Sequence, residues 1–524
     1  AFAQPSIIRY PYVQNTTTTS TTIAWKTNIS IDSVVEYGLS SDYGFSVTNA
    51  TLVTNHALIL TSLSPNTTYH YRIKGGGIVL TSDEVFKTAP GQVNPIFSFV
   101  AFGDSGSGGP HMFGVANLVK SLNPDLLIHT GDLIYPSGEA ANFDPNFFVP
   151  YKDVIKSKPF FGVMGNHDEK INNGQLWLDA FYLPANNSQG TERYYSFDYG
   201  NAHFVALEVI GNTALSSTQL NWLVNDLQNT NQLWKFVFFH VPPYSNSLHG
   251  SALNVRASIS PVLEQYSVDM VFNGHDHDYE RTLAVKDFFP GNKGIIYIVT
   301  GGGGDEIYAS GTSSFTAYSE STQHVTHVQI NGSVLTLKAV RENGTIMDTL
   351  TVDKSTNSPI VDTTNTKAIP NMISIFGDNP AQARGSPFGP GWTSLAVQAV
   401  SVTGVKAGVG DFFSSILPTD ARERSINASA WDSMISSLNN TNLDDKGNGV
   451  WTKTVVIESL FSQAAAQFSP AVFLRMVEQE LRTGQKTITV TVSNASGAIT
   501  SSVGLWVVDA QIMLRKGWNL RSTP

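Results

Sequence analysis

Five short polar motifs, each directly after an apolar run, constrain this chain more than any other feature. They are Gly103-Asp104-Ser105-Gly106, Gly131-Asp132-Leu133-Ile134-Tyr135, Gly165-Asn166-His167-Asp168, His240 within Phe238-Phe239-His240-Val241-Pro242, and Gly274-His275-Asp276-His277. The apolar runs at 97–102, 125–129, 160–164, 204–208, 235–239 and 269–272 read as strands. Amphipathic segments at 110–122, 145–156, 217–227 and 256–266 fall between them and read as helices. This alternation predicts an α/β region over about 93–354. Later runs at 295–299, 325–330, 334–340 and 346–352 have no helices between them and are expected to complete a second sheet.

In an α/β sheet the carboxyl ends of the strands gather at one edge, where ligands bind. Asp104, Asp132, Asn166, His240, His275 and His277 would meet there as a cage of oxygen and nitrogen donors. His275 and His277 are two apart, so an extended segment aims both the same way, toward two adjacent metals. A glycine before four of these ligands is expected to let the chain turn sharply off its strand. Taken singly, each motif has a plainer structural reading: a turn, a capped loop, a core histidine. Their joint order within one α/β region is what points to a metal centre.

The flanks differ. Residues 1–92 alternate with period two and show no helical period, which predicts a small β-sandwich. The segment Leu63-Ser64-Pro65-Asn66-Thr67-Thr68-Tyr69 resembles the fibronectin type III corner, in which a tyrosine ties a turn back to the backbone. Residues 355–524 begin with a polar linker. Helices are expected at 428–438 and 469–481, and a hairpin or meander over 487–508, giving an α+β C-terminal domain of unknown fold.

Composition narrows the function. Lys and Arg number 32 against 42 Asp and Glu, a net charge of −10, which disfavours nucleic acid and anionic membranes as partners. No 18-residue apolar run indicates a membrane span. Cysteine is absent. That excludes disulfides, thiolate metal sites and cysteine nucleophiles, and leaves His, Asp, Glu, Asn or Tyr to hold any metal. Ten N-x-S/T sequons (Asn15, Asn28, Asn49, Asn66, Asn186, Asn331, Asn343, Asn427, Asn439 and Asn494) with the low charge point to a secreted or cell-surface protein.

The ordered motifs resemble those of the calcineurin-like metallophosphoesterases. Tyr135, together with the fibronectin-like N-terminal domain, resembles the purple acid phosphatases in particular. The resemblance covers residues 1 to about 352. It implies a ferric ion held by Asp104, Tyr135 and His277. It implies a divalent Zn, Mn or Fe held by Asn166, His240 and His275, with Asp132 bridging the two. Hard anionic ligands favour the trivalent ion, and imidazoles with a neutral amide suit the divalent one. The implied reaction is hydrolysis of phosphate monoesters by in-line attack of a metal-bound hydroxide.

His167 and His249 match the family's substrate-side histidines and are the expected catalytic groups. His129 and His203 are expected to be structural. Gly301–Gly304 lacks the Gly-Lys-Ser/Thr of a P-loop and is expected to turn the chain near the site. Tyr279, Glu280 and Arg281 also match the family, as supporting residues. Two other functions fit the sequence: a phosphodiesterase or nucleotidase on the same cage, and a surface assembly protein that self-associates through its C-terminal domain.

Overall fold

The computed structural model describes residues 3–286 and 294–355 in full, and beyond them the backbone of strand segments within 289–291 and 361–507. The chain divides into two compact units, residues 1–288 with 292–365, and residues 366–524 with 289–291.

The first unit opens with six antiparallel strands. The long strand Thr21–Gly38 pairs with Ile7–Gln14 along its first half and with Thr68–Gly75 along its second. Register shifts between Lys26 and Ser33 mark the change of partner. Val13, Ile23, Trp25, Val35, Leu60, Tyr71 and Phe86 fill the interior. Tyr69 Oη accepts a hydrogen bond from the Ser64 amide at 2.9 Å, so the turn is tied back as its motif predicts.

Two mixed seven-stranded sheets follow. In one, Ile96–Phe102, Leu126–His129 and Phe160–Gly162 run parallel, and antiparallel strands His324–Asn331, Val334–Arg341 and Ile346–Asp353 extend it. In the other, Ala202–Ala206, Trp234–Phe238, Met270–Asn273 and Ile296–Thr300 run parallel. Phe99 of the first sheet meets the rings of Phe204, Phe236 and Phe272 edge-on at 5.3 to 5.7 Å, so aromatic packing locks the sheets face to face.

The helices lie where the apolar period places them: Pro110–Leu122, Val149–Ile155, Ser217–Asn229 and Leu253–Gln265. Pro110 starts the first, and Asn123 ends it with a left-handed φ of 46°. Ser216 caps the third by accepting from the Gln219 amide at 3.2 Å.

One late strand departs from expectation. Ile296–Thr300 inserts between Met270–Asn273 and Tyr279–Thr282 and does not join the three strands that follow it. Its residues are buried throughout, as a central strand requires. The other three strands join the opposite sheet at Ile96–Phe102.

In the second unit, Gly484–Asn494 pairs antiparallel with Gly497–Val507, which matches the hairpin expected there. Strands Gly404–Gly408 and Thr441–Asn442 join that hairpin, and four further strands form a second small sheet. The helices expected at 428–438 and 469–481 lie outside the described residues.

His203 is structural. Its Nδ1 lies 2.7 Å from Asp198 Oδ1 and its Nε2 2.8 Å from Asp226 Oδ2, pinning helix Ser217–Asn229 to the sheet. Burial alone would lower its pKa, but the two carboxylates outweigh burial and raise it to about 9. A folded pKa above the ordinary ~6.5 contributes stability that is complete below ~6.5 and lost as pH rises through the folded value. His203→Gln is therefore expected to cost about 1–3 kcal/mol near pH 6 and much less above pH ~9.5. Urea unfolding at the two pH values checks this; an equal cost at both would refute the charged pairing.

Candidate metal centre

Six of the seven predicted ligands follow the carboxyl end of a parallel strand, and Tyr135 lies further along the loop of Asp132. Asp104 follows Ile96–Phe102, Asp132 follows Leu126–His129, and Asn166 follows Phe160–Gly162. From the other sheet, His240 follows Trp234–Phe238, and His275 and His277 follow Met270–Asn273. The two sheets thus deliver three loops and two loops to one place. Asp104, Asp132 and His275 hold left-handed φ values of 60°, 52° and 70°. Non-glycine residues adopt these at a cost, and such strain concentrates at functional sites.

The preceding glycines serve a different need from the one expected. Among the four, only Gly131 has positive φ, at 101°. At Gly165 a Cβ would fall on Asp132 Oδ1, and at Gly274 on Asp104 Oδ2. The constraint there is room for the ligand carboxylates, not a sharp turn.

The side chains form two overlapping groups. Tyr135 Oη lies 3.2 Å from Asp104 Oδ1, 3.3 Å from Asp132 Oδ2 and 3.1 Å from His277 Nε2. His240 Nε2 lies 3.2 Å from Asp132 Oδ2 and 3.0 Å from Asn166 Oδ1. Donor atoms of Asp132, His240 and His275 all lie within 4.8 Å of one another. Asp132 Oδ2 belongs to both groups.

The ring tautomers follow from the outer contacts. His240 Nδ1 lies 3.0 Å from the Thr130 carbonyl, and His277 Nδ1 lies 2.6 Å from the Glu306 carbonyl. A carbonyl only accepts, so each Nδ1 carries the hydrogen and each Nε2 faces the cluster. At His240 a neutral Nε2 lone pair would face the oxygens of Asp132 and Asn166, an arrangement that needs a positive charge there: a metal ion or, without one, a ring proton, which burial opposes but Asp132 favours, raising the pKa to about 9.

Electrostatics repeats the demand. Burial raises the Asp104 carboxyl, although His277 opposes it. Burial also acts to raise Asp132, but the charge of His240 wins and holds it below the usual range. Burial, then the charges of Asp104 and Asp132, push the Tyr135 phenol far up, so a phenolate there requires a cation. Burial and His240 lower His275, keeping its lone pair free. Oxygen and imidazole donors turned inward, with too little positive charge, fit metal ions.

The two predicted histidines lie beside the cage. The His167 amide donates to Asp132 Oδ1 at 2.7 Å, and its ring packs on Tyr135 at 4.5 Å. The His249 ring stacks on His275 at 4.1 Å, with Nδ1 2.9 Å from Asp276 Oδ1. His129 is buried against Ser105 Oγ at 2.9 Å, a packed residue as expected. Gly301 comes off its strand where a Cβ would meet Asp104 Oδ2 at 2.8 Å, so the glycine run does border the site. Glu280 accepts from the Asn246 amide at 2.7 Å and its Oε1 lies 2.7 Å from Ser245 Oγ, and so braces the loop of His249. Tyr279 and Arg281 both bond Asp348.

Three residues escape a reading of the sequence. The fully buried carboxylate of Asp168 accepts from the amides of Leu133, Ile134 and Gly165, each at 3.0 Å. It ties the loop of Asp132 to the loop of Asn166. Tyr308 stacks on His277 at 4.1 Å and 9°. Asp276 stands between two ligands and holds His249. Asp168 and Asp276 lie inside motifs whose other residues drew the reading, and Tyr308 carries no sequence signal.

Comparison with known proteins agrees with this geometry. Residues 97–279, which contain all seven predicted ligands, match the calcineurin-like phosphoesterase family, and residues 9–88 match the purple acid phosphatase N-terminal domain. Purple acid phosphatase 23 of Arabidopsis thaliana is 28% identical over 286 residues, covering 48% of this chain and 62% of that protein. Probable inactive purple acid phosphatase 27 of the same plant is 28% identical over 305 residues, covering 48% of this chain and 49% of that protein. The chain thus spans about half to three fifths of the length of these relatives. A purple acid phosphatase from yellow lupin (Lupinus luteus) seeds shares the fold, with a TM-score of 0.60 at 20% identity, covering 67% of this chain and 74% of that one. Over the matched residues the chain is purple acid phosphatase-like, with a calcineurin-like phosphoesterase region at 97–279.

Proposed function

We propose that this protein is a binuclear-metal phosphatase that hydrolyses phosphate monoesters. The observation that carries the reading is Asp132 Oδ2, which lies 3.3 Å from Tyr135 Oη and 3.2 Å from His240 Nε2 and so joins two donor sets. Asp104, Tyr135 and His277 would hold a ferric ion with Asp132. Asn166, His240 and His275 would hold a divalent Zn, Mn or Fe with the same carboxylate. When bound, such a pair supplies Lewis acidity toward the phosphate and lowers the pKa of water.

The chain's own side chains then bind and orient the ester. His167, with Lys170 Nζ 3.1 Å from its Nδ1, gives a positive rim for phosphate oxygens. His249 is 40% exposed at its side chain, and its Nε2 has no hydrogen bond among the described residues, so it can reach the ester and deliver a proton to the leaving alkoxide. We place the catalytic domain at 93–354, after a fibronectin type III-like domain at 1–92 and before a separate C-terminal domain. Asn28, Asn49, Asn66, Asn186, Asn331 and Asn343 of the sequons are exposed, which supports an extracellular or cell-surface location.

Purified protein loaded with iron and zinc is expected to hydrolyse a simple aryl phosphate and to show a broad visible absorption band. Tyr135→Phe should abolish the band. A colourless two-zinc or two-manganese enzyme would refute the ferric assignment, and a metal-loaded but inactive protein would refute the phosphatase. Asp168→Ala is expected to lower metal affinity ~10–100-fold by freeing two ligand loops, read by chelator competition; unchanged affinity would remove that role. His167→Ala is expected to raise KM about tenfold with a smaller change in kcat, as loss of one uniform binding contact does; a KM equal to wild type would place it outside the phosphate site.

A further inference from the structure

The segment Gly274-His275-Asp276-His277 carries two predicted ligands, and the residue between them turns away from the cage. Asp276 is fully buried. Its Oδ1 accepts from both the backbone amide and Nδ1 of His249, each at 2.9 Å. Its Oδ2 accepts from Ser245 Oγ. Ser245 Oγ also contacts Glu280 Oε1 at 2.7 Å, and Glu280 in turn accepts from the Asn246 amide and side chain. The loop 245–249 is thus bonded at both ends to the segment 276–280, through Asp276 and Glu280. Its histidine is further held by the His275 ring, stacked at 4.1 Å and 27°.

A half-exposed histidine on a loop is ordinarily free to change rotamer. Here two hydrogen bonds to one buried oxygen fix both its backbone and its ring. With Nδ1–H committed to the carboxylate, Nε2 is the atom left for the substrate, and its distance from the predicted ligands is set by the short turn after Met270–Asn273 that carries His275, Asp276 and His277. We propose that Asp276 is a positioning residue for the phosphatase reaction: it locks the His249 loop and ring so that Nε2 faces the ester beside His275. The proposal rests on the reading of His249 as a substrate-side group.

This coupling is testable by a double-mutant cycle on the full-length, metal-loaded protein, with kcat and KM measured on p-nitrophenyl phosphate and metal content measured in parallel. His249→Ala is expected to lower kcat ~10²-fold, the lower range for a proton-transfer group. Asp276→Ala should lower kcat by a similar factor with both metals retained. The variant carrying both changes should be no worse than His249→Ala alone, because the two residues act through one atom. Asp276→Asn keeps an oxygen that can accept both bonds, and should recover most of the loss seen with alanine.

The outcomes separate the two ideas. If His249→Ala retains wild-type kcat and KM, the substrate-side reading falls, and the proposal with it. If His249→Ala is impaired but Asp276→Ala is not, or the two losses multiply, only the positioning role falls. If Asp276→Ala loses metal or does not fold, Asp276→Asn decides. Full metal content with kcat as low as that of His249→Ala would then overturn the hydrogen-bond account, and recovery would uphold it.

Discussion

Two fully buried carboxylates, Asp104 and Asp132, set the terms for the two-sheet region around them. An unpaired buried charge costs several kcal/mol, and the cost is met only by partners arranged with good geometry. Here the partners come from everywhere. The His275 amide donates to Asp104 and the His167 amide to Asp132, so each carboxylate is held by the backbone of another ligand loop. The imidazoles of His240 and His277 face the same oxygens, with their outer nitrogens committed to carbonyls. Such a cage is short of positive charge by design, and a pair of cations is the economical way to complete it.

The fold makes that arrangement possible by bringing two sheets together with their strand ends aligned. Aromatic packing around Phe99 fixes the sheets, and the left-handed residues Asp104, Asp132 and His275 redirect the chain where they end. Asp168 then ties two of the loops through three backbone amides. Burial and the charge of Asp132 raise its pKa to about 7, so its acceptor role is strongest where it is ionised, at or above neutral pH. Strain at the loops and desolvation at the carboxylates are both repaid by contacts that exist only in the assembled edge.

The clustering of the predicted ligands was legible because their positions depend on local pattern: a polar motif directly after an apolar strand lands at the sheet edge whatever the rest does. The strands and helices of the two-sheet region were legible for the same reason. What pattern could not show was tertiary. The run at 295–299 is apolar on both faces, and nothing in such a run names its neighbours, so its insertion into the other sheet is visible only in three dimensions. The glycines of Gly165 and Gly274 looked like turn residues because their true partners, the carboxylates of Asp132 and Asp104, lie far away in sequence. Asp276 and Tyr308 escaped because each acts on a histidine that a different loop supplies.

The N-terminal domain fits the same logic. Strand Phe160–Gly162, which leads to Asn166, is the short edge of its sheet, and an unprotected edge exposes unpaired backbone groups. Gln14 covers it: its amide donates to the Phe160 carbonyl at 3.2 Å and its oxygen accepts from the Tyr182 amide at 3.1 Å. Tyr12 donates to the Ala180 carbonyl at 2.7 Å, and Arg9 makes a two-pronged pair with Asp144 at 2.6 and 3.2 Å while lying over the Phe148 ring. Tyr71 donates to the Lys156 carbonyl at 2.7 Å, just ahead of that strand. The first strand of the chain therefore closes the edge from which one ligand loop departs. An appended domain would have no reason to bury Tyr12 and Gln14 against it; one that completes the scaffold of the metal cage would.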